Sequence, residues 1–94
     1  MDYMKELEAF HDQVDMDKLS SSTIVLWFSL MQINSRRGWK KEFTVPGEVI
    51  RLKSRLPLSS YKRARKQLVE KGYIKYTPGD QSRPAVFEMV SRVR

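Results

Sequence analysis

The first apolar positions of the chain recur at helical spacing. Tyr3, Leu7, Phe10 and Val14 are separated by four, three and four residues, while the positions between them are mostly polar. This pattern predicts an amphipathic helix over residues 2–14, with a single apolar stripe along one side.

A second helix is predicted over residues 21–35, where apolar side chains surround the helix axis almost completely. The serines at 20–22 supply the hydroxyl acceptors that the first amides of a helix need. Because a helix without a continuous polar face must be covered on several sides, we expect this one to form the centre of the domain. It is too short to cross a bilayer, so we interpret it as a core helix.

A short strand and a third helix are predicted next. Residues 43–45 have strand composition, and Pro46 suits the first turn of a helix that we expect over about 46–54. Pro57 then ends the helical pattern, because proline disfavours helical backbone at itself and at the preceding residue.

The fourth predicted helix follows immediately. We expect Ser59 or Ser60 to cap its N-terminus, and we expect the helix to run to Lys71 and end at Gly72 in a left-handed conformation.

The remaining residues are typical of a β-hairpin. Residues 73–77 and 85–90 are rich in β-branched and aromatic side chains, and the turn-forming residues 78–84 separate them. The predicted fold class is mainly α with a small β-hairpin (α+β), and the element order is that of a winged helix-turn-helix preceded by an amphipathic helix.

Charge is distributed unevenly along the 94 residues. Residues 1–18 have a net charge of −4, whereas residues 19–94 contain 16 basic and five acidic side chains, a net of +11. So basic a domain repels itself unless a polyanion is near, and nucleic acid is the leading candidate, followed by an anionic membrane surface. We therefore divide the chain into an acidic arm, 1–18, and a DNA-binding domain, 19–94. The sequence has no cysteine, which favours a reducing, cytoplasmic location.

The fourth helix carries the strongest functional signal. At 100° per residue, Tyr61, Ala64 and Leu68 share one side, which we expect to face the core. The opposite side carries Ser59, Lys62, Arg63 and Lys66. These four residues lie in the N-terminal half of the helix, and in a recognition helix that half enters the major groove of duplex DNA.

The chemistry of these side chains suggests separate roles. Arg63 can donate two hydrogen bonds to a guanine, whereas the lysines suit phosphates. Ser60 can join backbone amides in holding a phosphate. Arg65 lies on the flank, where it can equally pair with an acidic neighbour.

Other basic residues are candidates for contacts with the DNA backbone. They are Lys40 and Lys41 in the loop after the core helix, Arg51, Lys53 and Arg55 on or after the third helix, and Lys75 and Arg83 in the hairpin. Trp39, which lies among the loop residues, is expected to tuck its ring into the core.

Catalysis finds no support in the sequence. His11 is the only histidine, and it lies in the acidic arm without a nucleophile or ligand set nearby. No cluster has metal-ligand spacing, and the four glycines form no phosphate-binding loop. We expect a protein that is not an enzyme and that uses no cofactor or metal.

The first helix has two interpretations, which the sequence leaves open. Its apolar stripe either covers the core helix or pairs with a second copy or another protein, and a homodimer would present two recognition helices at a fixed spacing.

Much of the chain resembles a known family. One part of the likeness consists of Leu19-Ser20, Leu26-Trp27, Leu30-Met31, Asn34, Gly38-Trp39 and Phe43-Thr44-Val45. The other part consists of Leu52-Lys53, Leu56, Ser59, Arg63-Ala64-Arg65, Leu68, Lys71-Gly72-Tyr73-Ile74, Phe87 and Met89. These residues are similar to those of the N-terminal domain of phage replisome organizer proteins, replication initiators related to the DnaD-type primosomal proteins of Gram-positive bacteria.

This resemblance implies a winged-helix domain that binds phage origin DNA in the bacterial cytoplasm. It also implies a separate C-terminal region that contacts the helicase or its loader and that this sequence does not contain. We therefore expect either a part of a longer protein or a short natural form. One departure is that Arg55 stands where the family often has Gly.

Two other functions are compatible with the same fold. One is a phage transcriptional repressor, and the other is a protein-interaction module that docks helicase-loading or single-strand-binding proteins. Membrane partners are not expected, because no apolar run reaches the length of a membrane span.

Overall fold

The computed structural model describes residues 1–93 and contains four helices and three strands. The elements are α1 (Tyr3–Val14), α2 (Ser21–Arg36), β1 (Phe43–Thr44), α3 (Gly47–Ser54), α4 (Leu58–Glu70), β2 (Ile74–Thr77) and β3 (Val86–Met89). This arrangement confirms the predicted α+β class.

The helix ends follow the capping residues that the sequence contains. The Asp2 carboxylate accepts from the Lys5 amide at 3.2 Å, and the Ser20 hydroxyl accepts from the Thr23 amide at the same distance. After α4, Gly72 adopts φ 80°, a left-handed conformation that glycine tolerates best. The predicted starts of α1 and α2 are therefore correct within a residue.

The start of α4 differs from the prediction. The N-cap is Pro57, with extended backbone at φ −61° and ψ 159°, and no serine side chain caps the helix. The Pro57 carbonyl already accepts from the Tyr61 amide at 2.9 Å. The helix can therefore begin before either serine, and the prediction that Ser59 or Ser60 is the cap is wrong. Both lie inside the first turn.

The core is built around α2. Its side chains Leu26 and Leu30 are fully buried, and α3 and α4 pack against it. From α1, the Phe10 ring stacks on the Trp27 ring with centroids 3.8 Å apart and planes 5° from parallel. At least through Phe10, α1 therefore covers α2, as the first interpretation of its stripe predicts.

A second anchor joins α1 to the segment that follows β3. Glu6 is only 6% exposed, and its carboxylate accepts from the Ser91 hydroxyl at 2.5 Å and from the Arg92 amide at 3.3 Å. Nearby, the Tyr73 hydroxyl donates to Asp17 at 2.5 Å. Burial, and secondly this hydrogen bond, raise the pKa of Tyr73 above its ordinary value, so the hydroxyl keeps its proton.

The sheet contains one strand more than the predicted hairpin. The strand order is β1-β3-β2 and both pairs are antiparallel, with Phe43 opposite Phe87 and Phe87 opposite Tyr76. The short segment predicted over residues 43–45 is therefore an edge strand, and the fully buried Phe87 lies between aromatic neighbours.

The turn between α3 and α4 has an unusual residue at its first position. Arg55 adopts φ 63°, and its amide donates to the Arg51 carbonyl at 2.7 Å. A left-handed conformation costs a non-glycine residue about 1–2 kcal/mol. This is the position at which the resembling family often has Gly, and Arg55 adopts the conformation that glycine usually provides.

We predict that Phe10→Ala lowers the free energy of unfolding by about 3–5 kcal/mol, because it removes the ring that stacks on Trp27 and leaves a cavity in the core. Urea denaturation measures the change. The matched control is Met4→Ala on the same helix; Met4 is 65% exposed, so a change within about 0.5 kcal/mol is expected. A loss below about 1 kcal/mol for Phe10→Ala would show that α1 is not part of the core.

Candidate nucleic-acid interface

The orientation of α4 is set by its buried side. Tyr61, Ala64 and Leu68 are 4%, 1% and 0% exposed, which confirms the prediction that they face the core. The opposite side consists of exposed residues, namely Ser59, Lys62, Arg63 and Lys66. The core therefore holds these four side chains toward solvent on one rigid helix.

A groove runs between this side of α4 and the start of α2. Its volume is about 460 Å³, and its polar lining includes Ser22, Ser60, Arg63 and Lys66. The structure therefore brings Ser60, Arg63 and Lys66 together, and it adds Ser22 and Thr23 of α2, which the sequence analysis did not consider as part of a binding surface.

Gln67 joins the two helices beside this groove. Its Oε1 accepts from the Thr23 hydroxyl at 2.5 Å and from the Ser20 amide at 3.2 Å. Because a backbone amide can only donate, the oxygen must face α2 and the side-chain amide nitrogen faces away from it. The sequence analysis missed Gln67, although it lies one helical turn after Arg63 on the same flank.

The first turn of α4 offers free backbone donors. No side chain caps this end of the helix within residues 1–93. The amides of Leu58, Ser59 and Ser60 precede the first intrahelical bond, so they have no partner within the helix. They lie at the positive end of the helix dipole, close to Lys62 and Arg63.

Arg65 has a structural role. Its guanidinium lies 4.2 Å from the centroid of the Tyr76 ring on β2 and 5.2 Å from that of Tyr61. The contact fixes α4 against the sheet. The basic face of the helix is therefore narrower than its composition indicates.

Two of the candidate lysines have acidic neighbours. Lys66 lies 3.9 Å from Glu70, and the two side chains are 77% and 59% exposed. An ion pair this exposed contributes about 0–1 kcal/mol, so a phosphate can displace Glu70. Lys75 lies 4.0 Å from Glu88 across the hairpin, which offsets part of its charge.

The candidates on α3 surround an apolar surface. Arg51 and Arg55 line a shallow groove with Leu52, which is 73% exposed, whereas Lys53 does not line it. Val49 and Leu58 are also exposed, at 45% and 47%. The sequence analysis did not identify this surface, because Val49 and Leu52 share one side of α3 and only the structure shows that Ile50 is the buried residue.

Arg83 lies in the exposed connection between β2 and β3, beside a carboxylate. The Asp80 side chain accepts from the Ser82 amide at 2.8 Å and from the Arg83 amide at 2.9 Å. Hydrogen bonds from Ser82, and then from Arg83, lower the pKa of Asp80 and keep it ionised. This negative charge reduces the positive potential around Arg83.

Lys40 and Lys41 lie apart from α4. Lys40 lines a groove of about 380 Å³ beside β1, together with Arg37, Glu42 and Thr44. The Trp39 ring is partly buried against the core, as expected, and meets Tyr3 edge-on at 5.5 Å. The structure therefore divides the candidate residues among the α4 face, α3, the hairpin and the loop after α2.

Residues 1–93 were considered for metal binding and for membrane-spanning length, and neither feature is present in them. No group of three or more His, Asp or Glu side chains there has the geometry of a metal site. No helix in the same range is both long and apolar enough to cross a membrane.

Comparisons with protein-family models, curated proteins and solved structures found no match for this chain.

We predict that Arg65→Ala lowers the free energy of unfolding by about 1 kcal/mol, because the guanidinium no longer stacks on Tyr76. Arg63→Ala is the matched control, and its exposed side chain predicts a change within about 0.5 kcal/mol. Thermal and urea denaturation measure both variants. Equal losses in the two variants would contradict a structural role specific to Arg65.

Proposed function

We propose that this chain is a non-catalytic winged-helix domain that binds double-stranded DNA with some sequence preference, with α4 as its recognition helix. The observation that carries the proposal is the fixed orientation of α4. Its buried side locks the helix to the core, and Lys62, Arg63 and Lys66 occupy the opposite, solvent-facing side.

The order and pairing of the elements support the winged-helix interpretation. A short turn joins α3 to α4, and the β2–β3 hairpin follows directly, with β1 as a third strand at its edge. In this layout the second helix of the pair enters the major groove while the hairpin lies along the backbone.

The environment of each residue suggests its role. Arg63, which has no ion-pair partner in residues 1–93, is assigned to a guanine edge. Lys62 and Lys66 are assigned to phosphates, and Ser59 and Ser60 to a phosphate held with the free amides of the first turn. Backbone contacts outside α4 are assigned to Arg51, Lys53, Arg55, Lys75 and Arg83.

The biological role that we propose rests on the resemblance described above. We infer that the domain is the origin-binding module of a phage-type replication initiator. The same fold as a transcriptional repressor is the nearest alternative, and a promoter site in place of a replication origin would select it.

A second candidate function is docking of a replication protein, and the apolar surface on α3 favours it. Leu52 is 73% exposed and lies between two arginines, a composition common in protein interfaces. A partner that binds tightly here, together with undetectable DNA binding at low salt, would select this function.

The decisive test is a titration with labelled duplex from the protein's own replication region and with random duplex, at about 150 mM salt. We expect at least about tenfold preference for the first duplex, lost when Lys62, Arg63 and Lys66 are all changed to alanine. With about six to eight phosphate contacts, log affinity should fall against log salt with a slope of roughly −5 to −7.

Single variants separate the two kinds of contact. Lys66→Ala should weaken binding to both duplexes equally, whereas Arg63→Ala should also reduce discrimination at one base pair by about 1–3 kcal/mol. The control is the triple alanine variant of Lys5, Lys18 and Lys71, which removes the same charge elsewhere. If the control variant loses as much affinity as the α4 triple variant, α4 is not the recognition helix.

A further inference from the structure

A second basic surface lies at the other end of α2. We call it the α2-end patch, and it consists of Arg36, Arg37, Lys40 and Lys41. All four residues are exposed, and residues 36–41 contain no acidic side chain. Within residues 1–93, no ion pair joins any of the four to a carboxylate.

The helix dipole explains only half of this patch. Arg36 lies in the last turn of α2 and Arg37 is its C-cap, where positive charge offsets the negative end of the dipole. Lys40 and Lys41 lie beyond the helix and cannot act in this way. Their positive charges repel those of Arg36 and Arg37. Glu42, which lines the same groove as Lys40, is the acidic residue that offsets part of this repulsion.

Hydrogen bonds and packing anchor the loop that carries the patch between α2 and β1. The Arg37 guanidinium donates to the Thr44 carbonyl on β1, and the Gly38 and Trp39 amides donate to the last turn of α2 at 3.2 Å and 3.0 Å. The Trp39 ring is partly buried against the core. The basic side chains of the α2-end patch therefore project from an anchored backbone, as a preformed binding surface requires.

The length of α2 separates this patch from the basic face of α4. At 1.5 Å per residue, the 16 residues of α2 span about 24 Å. The N-terminal end lies at the groove with Arg63 and Lys66, and the C-terminal end leads to the patch. The two basic surfaces therefore lie at opposite ends of α2, about 24 Å apart along its axis.

We propose that the α2-end patch binds the phosphate backbone of a second duplex DNA segment, so that one molecule joins two segments. The inference rests on the proposed function, since α4 holds the first segment. Lys40 and Lys41 suit phosphates, and the Arg37 guanidinium is engaged at the Thr44 carbonyl, so we expect contacts to the DNA backbone with little sequence preference. The second segment can therefore be any duplex, including a distant part of the same molecule.

A capture experiment tests this arrangement. An immobilised duplex of about 30 bp, roughly 100 Å long, is loaded with protein and washed, and a second, fluorescent duplex is then offered. The wild-type protein should retain the second duplex. Lys40→Glu with Lys41→Glu should reduce retention about tenfold or more, while affinity for the immobilised duplex changes less than about threefold.

Controls separate this effect from charge and folding. Lys5→Glu with Lys18→Glu makes the same change of charge on the acidic arm and should retain the second duplex as the wild type does. Circular dichroism checks that each variant is folded, and Lys40→Gln with Lys41→Gln should give an intermediate loss.

Sedimentation velocity of the mixed complex should find one protein molecule per two duplexes.

The remaining outcomes would overturn the inference. Unchanged retention by the glutamate variant, or two protein molecules per two duplexes, would show that another surface or a second copy holds the second segment. If the glutamate variant loses affinity for the immobilised duplex by the same factor as it loses retention of the second duplex, the patch and α4 form a single interface. The proposed function would then stand without the second segment. A wild-type protein that fails to bind the immobilised duplex would overturn both.

Discussion

Burial of most of α2 is the constraint on which the remaining structure depends. Its apolar side chains surround the axis, so a single neighbouring element cannot cover them, and even in the folded chain Val25 stays 40% exposed. Three other helices meet the need: α3 and α4 from one region of the chain, and α1 through the stack of Phe10 on Trp27. α1 and α4 turn their apolar stripes inward, and their polar sides are thereby fixed toward solvent. The direction of the basic side of α4 follows from this packing.

Electrostatics then divides the surface that packing has created. The acidic side chains concentrate on and after α1, and basic side chains dominate the remainder of the chain. Among the basic residues of α4, Arg65 lies over the Tyr76 ring and leaves Lys62, Arg63 and Lys66 facing solvent. In the connection between β2 and β3, the negative charge of Asp80 lowers the positive potential around Arg83. Fewer basic side chains are therefore free to bind an anion than the sequence contains, and those that are free occur in separate groups on the surface.

Local signals made most of the fold predictable. Ser20, Pro46 and Gly72 mark element ends because their effects act within a few residues, and the stripe of Tyr61, Ala64 and Leu68 sets the inward side of α4. The cap of α4 could not be predicted in this way, because Pro57 provides the extended backbone that a serine would otherwise supply. The contact of Arg65 with Tyr76 and the hydrogen bond of Thr23 with Gln67 each join two different elements, which helical spacing cannot reveal. Spacing therefore identified candidate residues, and only tertiary structure could show which share a surface.

The contact between Glu6 and Ser91 has a consequence for the order in which contacts form. The two residues are 85 positions apart, so their hydrogen bond can form only when the chain as far as Ser91 is available. The stack of Phe10 on Trp27 spans far less of the sequence and needs only α1 and α2. During synthesis, α1 can therefore meet its first partner early, whereas the carboxylate of Glu6 gains its partners only after Ser91 and Arg92 have left the ribosome.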